Sequence, residues 1–536
     1  MKVRKPITAT LITLIILSFF SETSKVPDLL ARSEQFYAKI KIFTSILETI
    51  QRSYIEKMAP DELLEDAITG VISNLDPHTV YLPADDFKNW SQSFEGYTGI
   101  GISFEILRGK ITVMSVMSSS PAAEADIHTG DKILKINGKS ALGLTREEAI
   151  RRLNGPAGLP VNLEVASENW LHAKRIQLIR ERIVLESIPF AMMIRPQVGY
   201  VKIERFTSTT SRELDDALNT LERQGMRYLI LDLRGNSGGY LNAAVEVADK
   251  FIPGGNIIVS TRGRLSSSFQ QFYSTSEKTH DLYPVVVLVD HGSASASEIV
   301  AGAIQDLDRG LIIGKTSFGK GLVQSQYRFH DGSALLITTA RYYTPSGRPI
   351  QRNFLDKSKD EYYREAYNDT FLTSQVALQE KPVFRTLLGR PVYAEGGIKP
   401  DYWIENNQNL LSEPLRKLYF SEKRYFYVFA EEFIKRFPGI KSSQEHFIKN
   451  FVVTDKIYRD FLEFVKFYEP TLAIYELTNA KDRSDIKFLI KREMGYMLWG
   501  RKARFLINLT RDHQLNEAIK YFPKAHELLT LASYLN

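Results

Sequence analysis

Apolar positions outline helices and strands along this chain before any chemistry enters. Ile42, Ile46, Leu47 and Ile50 recur at helical spacing, so residues 31–95 read as a helical segment. Leu75-Asp76-Pro77-His78-Thr79 interrupts it, because a proline pushes the residue before it away from helical backbone. Residues 96–170 switch to short glycine-bounded strands with a helix among them. Residues 185–401 alternate strands and helices. Tyr228-Leu229-Ile230-Leu231-Asp232-Leu233 and Val285-Val286-Val287-Leu288-Val289 are continuous apolar runs, as parallel strands covered on both faces require. Leu214, Ala217, Leu218 and Leu221 share one helix face, with Thr210 and Glu213 as its expected capping box. Residues 402–536 are rich in aromatic residues and helix formers and read as an all-helical extension. Strand–helix alternation with helical ends predicts an α/β multidomain protein.

Composition narrows the function classes. A chain of 536 residues is too long for one core and holds several domains. The net charge of +6 is spread along it, with no basic stripe to track a phosphate backbone, so nucleic acid is not an expected partner. There is no cysteine, which removes thiol nucleophiles, disulfides, thiolate metal sites and a lipoprotein anchor together. The nine histidines are scattered and no His-Glu-x-x-His occurs, so neither a metal nor a cofactor is expected. Lys2, Arg4 and Lys5 precede the uncharged run from Ile7 to Phe20, which is short for a membrane span and suits a secretory leader. Residues 1–24 therefore read as a signal peptide or an N-terminal anchor. The rest is expected outside the cytoplasm, in the periplasm, either soluble or anchored to the inner membrane.

Thr98-Gly99-Ile100-Gly101-Ile102-Ser103-Phe104 places glycines where successive N–H groups converge on a carboxylate, ahead of a strand that pairs with an incoming chain. Ser120-Pro121 opens a short helix, and Asn137-Gly138 is a hairpin turn. Thr145 and Glu148 form a capping box for a helix carrying Ala149, Ile150 and Leu153. This order resembles a PDZ domain over 96–170. The resemblance implies a groove for polypeptide C-termini, with Ile100, Gly101 and Ile102 as peptide-binding residues. Asp126 stands where that family usually has glycine, and aspartate tolerates the left-handed turn better than most residues.

Two further segments carry candidate chemistry. In Ser293-Ala294-Ser295-Ala296-Ser297-Glu298, small residues let a backbone approach a hydroxyl closely; in Phe318-Gly319-Lys320-Gly321, the glycines let a loop deliver an amine. A desolvated lysine can act as base to a serine nucleophile. On these grounds Ser293, Ser295 and Ser297 all stand as nucleophiles, and His291 is a rival base, although Asp290-His291-Gly292 reads as a surface turn. Arg234-Gly235-Asn236-Ser237-Gly238-Gly239 follows a buried strand, a natural place for backbone donors to an oxyanion, and lacks the Gly-Lys-Ser/Thr ending of a phosphate loop. Glu298 and Asp306 read as capping or pairing with neighbours.

Asp232-Leu233-Arg234-Gly235-Asn236-Ser237-Gly238-Gly239, the serine and lysine segments, Thr339-Ala340-Arg341-Tyr342-Tyr343-Thr344-Pro345-Ser346-Gly347 and Gly397-Ile398-Lys399-Pro400-Asp401 together resemble the carboxyl-terminal processing (tail-specific) protease family. Leu75-Asp76-Pro77-His78 matches its opening motif, and the resemblance runs from about 35 to 401. It implies Ser295 as nucleophile, Lys320 as general base and Gln324 to orient the lysine amine, with Gly238, Gly239 and Ala296 as oxyanion hole. Ser237 replaces a frequent proline. The implied architecture is an α/β peptidase core at 185–401 with an inserted PDZ domain, a helical N-terminal segment and a helical C-terminal domain at 402–536. The implied function is an exported serine endopeptidase that recognises exposed C-terminal tails of polypeptide substrates. The other function class is a catalytically inactive PDZ scaffold or escort for exported polypeptides, which would have little need of serine and lysine together. A free lysine titrates near 10.4, so the dyad requires Lys320 to lie away from water and other charges.

Overall fold

The computed structural model describes residues 26–117, 120–167, 172–275, 280–367, 381–405, 411–441, 443–470, 477 and 479–534. The expected leader at 1–24 lies outside them. The chain divides into two compact units at Tyr81/Leu82. The first contains helices α1 (Val26–Ser53) and α2 (Pro60–Ile72). Its Asp76-Pro77 break is a turn in which the Asp76 carboxylate accepts the N–H groups of His78 and Thr79 at 2.8 and 2.9 Å.

The second unit opens with α3 (Ala84–Glu95) and a five-strand antiparallel path β1 (Ile102–Leu107), β2 (Lys110–Val116), β3 (Lys132–Ile136), β4 (Pro160–Ala166) and β5 (Lys174–Ile179). Between strands lie α4 (Pro121–Glu124), capped by Ser120, and α5 (Arg146–Leu153), whose Thr145/Glu148 capping box forms as expected. Asn137 and Gly138 both take positive φ, the hairpin turn their sequence predicts, and Asp126 adopts the left-handed backbone at φ 59°. Ile100 and Ile102 are buried in this module's core. Strand β1 is the edge of the path, and Arg146 at the start of α5 donates to the Phe104 carbonyl on it at 2.9 Å. The start of α5 therefore lies against the edge strand.

The central sheet runs β6 (Phe190–Arg195), β7 (Val198–Lys202), β8 (Tyr228–Asp232), β11 (Val285–Val289), β12 (Gly310–Gly314) and β15 (Tyr402–Trp403), parallel from β7 onward. Alternation sorts its side chains. Leu229, Leu231, Val285, Val287 and Ile312 pack with α6 (Thr210–Arg223), α7 (Leu241–Asp249) and α8 (Ala296–Asp306). Ile230, Val286, Leu288 and Ile313 face the other way and are covered by Leu515, Ala518, Phe522, Ala525 and Leu528 of the last two helices. A second sheet pairs β10 (Gln270–Tyr273), β9 (Ile257–Gly263), β14 (Ala334–Tyr343) and β13 (Leu322–Arg328), all antiparallel.

The C-terminal helices include α9 (Glu413–Tyr419), α10 (Tyr425–Arg436), α11 (Gln444–Asn450), α12 (Asp455–Tyr468), α13 (Ala480–Leu509), α14 (His513–Ala518) and α15 (Phe522–Ser533). They do not form a domain that begins cleanly at 402. Tyr402 and Trp403 extend the central sheet, and α14 and α15 supply one of its two apolar covers. Other C-terminal helices contact the β1–β5 module: Lys132 pairs with Glu431 at 2.7 Å, Arg108 with Glu432 at 3.1 Å, and the Arg424 guanidinium grips Glu105. The expected Thr210/Glu213 box also changes. Thr209 is the cap residue of α6, and the Glu213 carboxylate accepts instead from the Ser187 and Ile188 N–H groups at 2.8 and 2.9 Å.

Candidate active site

Ser295 stands between β11 and α8 with φ 55° and ψ −112°, a backbone that non-glycine residues adopt only under constraint. Neighbouring hydroxyls supply that constraint. Ser293 donates to the Leu233 carbonyl and Ser297 to the Asn236 carbonyl, both at 2.9 Å, and both residues are fully buried. Those bonds remove Ser293 and Ser297 as nucleophiles. Ser295 alone of the three lines a cavity of about 370 Å³, shared with Lys320, Gln324, Gly239 and Ala296. His291 is not among the lining residues.

Lys320 is half-buried, and its Nζ donates to the Gln324 Oε1 at 2.7 Å. It is the one charged side chain lining the cavity among the described residues. The walls are otherwise apolar or neutral, with Trp90 and Phe94 of α3 and Tyr240 on one side. The Trp90 and Phe94 ring centroids are 5.2 Å apart, and those of Phe94 and Tyr240 6.1 Å.

Gly238 has φ +105°, and a Cβ there would come within 2.8 Å of the Ser295 Cβ, so only glycine lets this loop touch the serine turn. Its N–H, however, donates to the Asn236 side chain at 2.9 Å. Among the described residues the Gly239 and Ala296 N–H groups carry no such bond. Of the three N–H groups expected to serve an oxyanion, that of Gly238 is therefore engaged within its own loop. In the PDZ module the Gly101 carbonyl accepts from Met117, while no bond from the Ile100 or Gly101 N–H is found among the described residues.

Two residues unite the serine and lysine segments in ways their sequence context does not reveal. Glu298, fully buried, accepts from Ser295 N–H at 2.8 Å and Lys320 N–H at 2.9 Å on one oxygen, and from Ser317 Oγ at 2.5 Å and Gly319 N–H at 2.7 Å on the other. Burial pushes its carboxyl above the ordinary range, while these four donors pull the other way. The buried Tyr342 hydroxyl lies 3.1 Å from the Ser295 carbonyl and 2.7 Å from that of Lys320. Glu298 reads locally as a cap. Its second role needs a loop that is remote along the chain.

This constellation sits on a sequence with recognisable relatives. Residues 197–357 match the model of peptidase family S41, and 98–169 match that of the PDZ domain. The carboxy-terminal-processing protease of Bartonella bacilliformis is 37% identical over 320 residues, covering 59% of this chain and 73% of that protein. The chain belongs to the carboxy-terminal processing proteases of family S41. Carboxy-terminal processing protease CtpB of Bacillus subtilis is 34% identical over 331 residues, 61% of this chain and 68% of its own. Among solved structures, the photosystem II D1 C-terminal processing protease is 24% identical, covering 68% of this chain and 92% of that one, with a TM-score of 0.35. This S41 chain is thus a serine-type peptidase with a PDZ domain ahead of its peptidase domain.

The glycine loop of this peptidase begins in a buried charge cluster. Burial alone would raise the Asp232 carboxyl, but Arg234 and Lys202 hold it far below the usual carboxylate range. Arg234 Nη2 lies 2.6 Å and Lys202 Nζ 3.3 Å from it. A depressed carboxyl contributes stability that is complete above its unfolded value, about 3.9, and is lost as pH falls toward the folded one. Asp232→Asn should therefore melt well below the parent at pH 7, and the gap should narrow as pH drops below about 4. Thermal melts across pH 3–7 check this; a gap independent of pH would rule out the charge as its cause.

Proposed function

We infer that this peptidase is exported and cleaves polypeptides whose exposed C-terminal tails its PDZ domain captures, using Ser295 and Lys320 as a dyad. The observation that carries this reading is the shared cavity: the serine on its constrained turn and the lysine donating to a neutral amide, in a pocket where no other described lining residue is charged. The dyad reading requires that this amine give up its proton at neutral pH to act as base. Gln324 orients that amine without adding a charge that would retain the proton.

The reaction runs as acyl transfer. Lys320 takes the Ser295 hydroxyl proton as Oγ bonds to the scissile carbonyl carbon. The N–H groups of Gly239 and Ala296 receive the developing oxyanion. The Lys320 ammonium then gives its proton to the departing amine, and the acyl ester is cleaved by water, with Lys320 again as base. Trp90, Phe94 and Tyr240 offer an apolar wall to a substrate side chain. The tail adds to the edge of β1, displacing the Arg146 side chain from the Phe104 carbonyl, and its terminal carboxylate meets the N–H groups at Ile100, Gly101 and Ile102. Tethering raises the local concentration of scissile bonds without a tight substrate pocket.

The test is a purified chain incubated with a reporter bearing an apolar unstructured tail, with products identified by mass. Cleavage is expected for the parent and not for Ser295→Ala, which still binds the tail. Binding without cleavage by the parent would favour the scaffold reading. Cleavage retained in Ser295→Ala would overturn the mechanism.

A further inference from the structure

Arg234 is the first residue of the loop that ends at Gly239, and its side chain is only 10% exposed. It meets two carboxylates. One is Asp232, the last residue of β8. The other is Asp512, which lies far along the chain and outside the matched peptidase residues 197–357. The contact is a two-point fork: Arg234 Nη1 reaches Asp512 Oδ1 at 3.0 Å and Nη2 reaches Oδ2 at 2.7 Å. Nη1 also donates to Gln514 Oε1 at 3.0 Å, and the Gln514 amide donates to the Ile404 carbonyl at 2.6 Å. Asp512 is itself held as the cap of α14, accepting the Leu515 N–H at 3.0 Å.

Charge and connectivity give this fork a consequence at the reaction centre. Lys202 and Arg234 are two largely buried cations, and the buried Asp232 and Asp512 are the two anions that pair with them. Without Asp512, an uncompensated positive charge remains at the root of the loop, and the guanidinium loses its planar two-point anchor. Lys202 binds the Arg234 carbonyl, and the Asn236 carbonyl accepts from Ala294 N–H at 3.0 Å and from Ser297 Oγ. Rotation of Arg234 therefore moves a loop bonded directly to the serine turn.

We propose that Asp512 is a positioning residue for peptide-bond cleavage: from the C-terminal helices it fixes Arg234 and so aims the Gly239 N–H at the oxyanion. The inference rests on the Ser295–Lys320 reading. It gives Asp512, the cap residue of α14, a role at the glycine loop besides capping its helix. Displacing an oxyanion donor by about 1 Å costs roughly 100-fold in rate with little effect on binding.

The experiment compares Asp512→Asn, Asp512→Glu and Leu515→Ala in the full chain on the tailed reporter, with thermal midpoints recorded alongside. Asparagine keeps the helix cap but removes the charge and the paired acceptors. Leu515→Ala loosens the same helix by emptying its place in the sheet cover, and leaves the Asp512 and Arg234 side chains unchanged. The expected result is a kcat loss of about 10- to 100-fold for Asp512→Asn at unchanged KM. Asp512→Glu should lie between it and the parent, and Leu515→Ala should keep the parental kcat despite a lower midpoint. Parental kcat in Asp512→Asn, or an equal kcat loss in Leu515→Ala, would overturn the proposal while leaving the dyad intact. An Asp512→Asn chain that fails to fold beside a fully active Asp512→Glu would assign the residue to stability alone and overturn it as well. Cleavage by Ser295→Ala would sink the dyad, and this inference with it.

Discussion

Lys320→Arg is expected to lower kcat by about 1,000-fold or more while the protein folds and binds tails as before. General-base catalysis is worth roughly 100- to 10,000-fold, and a guanidinium cannot surrender its proton near neutral pH. The substitution keeps the positive charge and most of the stem, so it separates proton transfer from charge and packing. Lys320→Met, which also removes the charge, should be equally inactive. Single-turnover cleavage of the tailed reporter, with circular dichroism melts as a control on folding, measures both. Arginine at more than about a tenth of parental kcat would exclude the lysine amine as the base.

Glu298→Gln is the second substitution with a large expected effect, and it acts through the backbone. The carboxylate holds four donors, from Ser295, Ser317, Gly319 and Lys320. Replacing one oxygen by an amide NH2 sets donor against donor on that side. Each buried donor left unmade costs about 1–3 kcal/mol, so two give about 2–6 kcal/mol. Part of this is offset because the charged form, which burial disfavours, is gone. Loss of activity should exceed what the lower stability explains, because the same oxygens join the turn bearing Ser295 to the loop bearing Lys320. Turnover at a temperature well below both melting midpoints separates the two effects. A variant with parental kcat there would mean that the Tyr342 hydroxyl and the sheet hold the segments together unaided.

Elements with a local cause were legible in the sequence. The strand Val285–Val289 followed from an unbroken apolar run, and its structure shows why the run is unbroken: alternate side chains enter two different cores. Thr145/Glu148, Ser120-Pro121 and Asn137-Gly138 formed as local rules dictate. Thr210/Glu213 did not, because amides at Ser187 and Ile188, distant along the chain, compete for the same carboxylate. A capping rule sees four residues and cannot register such a rival.

For the site, composition and motif order determined which residue types were available: serine, lysine, a neutral amide and glycine loops, with no thiol to compete. Folding decided which of them meet. Three serines are nearly equivalent in Ser293-Ala294-Ser295-Ala296-Ser297, yet two spend their hydroxyls on buried carbonyls and one faces the cavity. Gly238 and Gly239 look alike in sequence, but the Asn236 side chain claims the amide of one and leaves the other. Asp512 has no local sign of its partnership with Arg234. Periodicity and spacing report what neighbours along the chain do to one another, whereas these assignments depend on hydrogen bonds between segments that only the packed sheet and its two helical covers bring within reach.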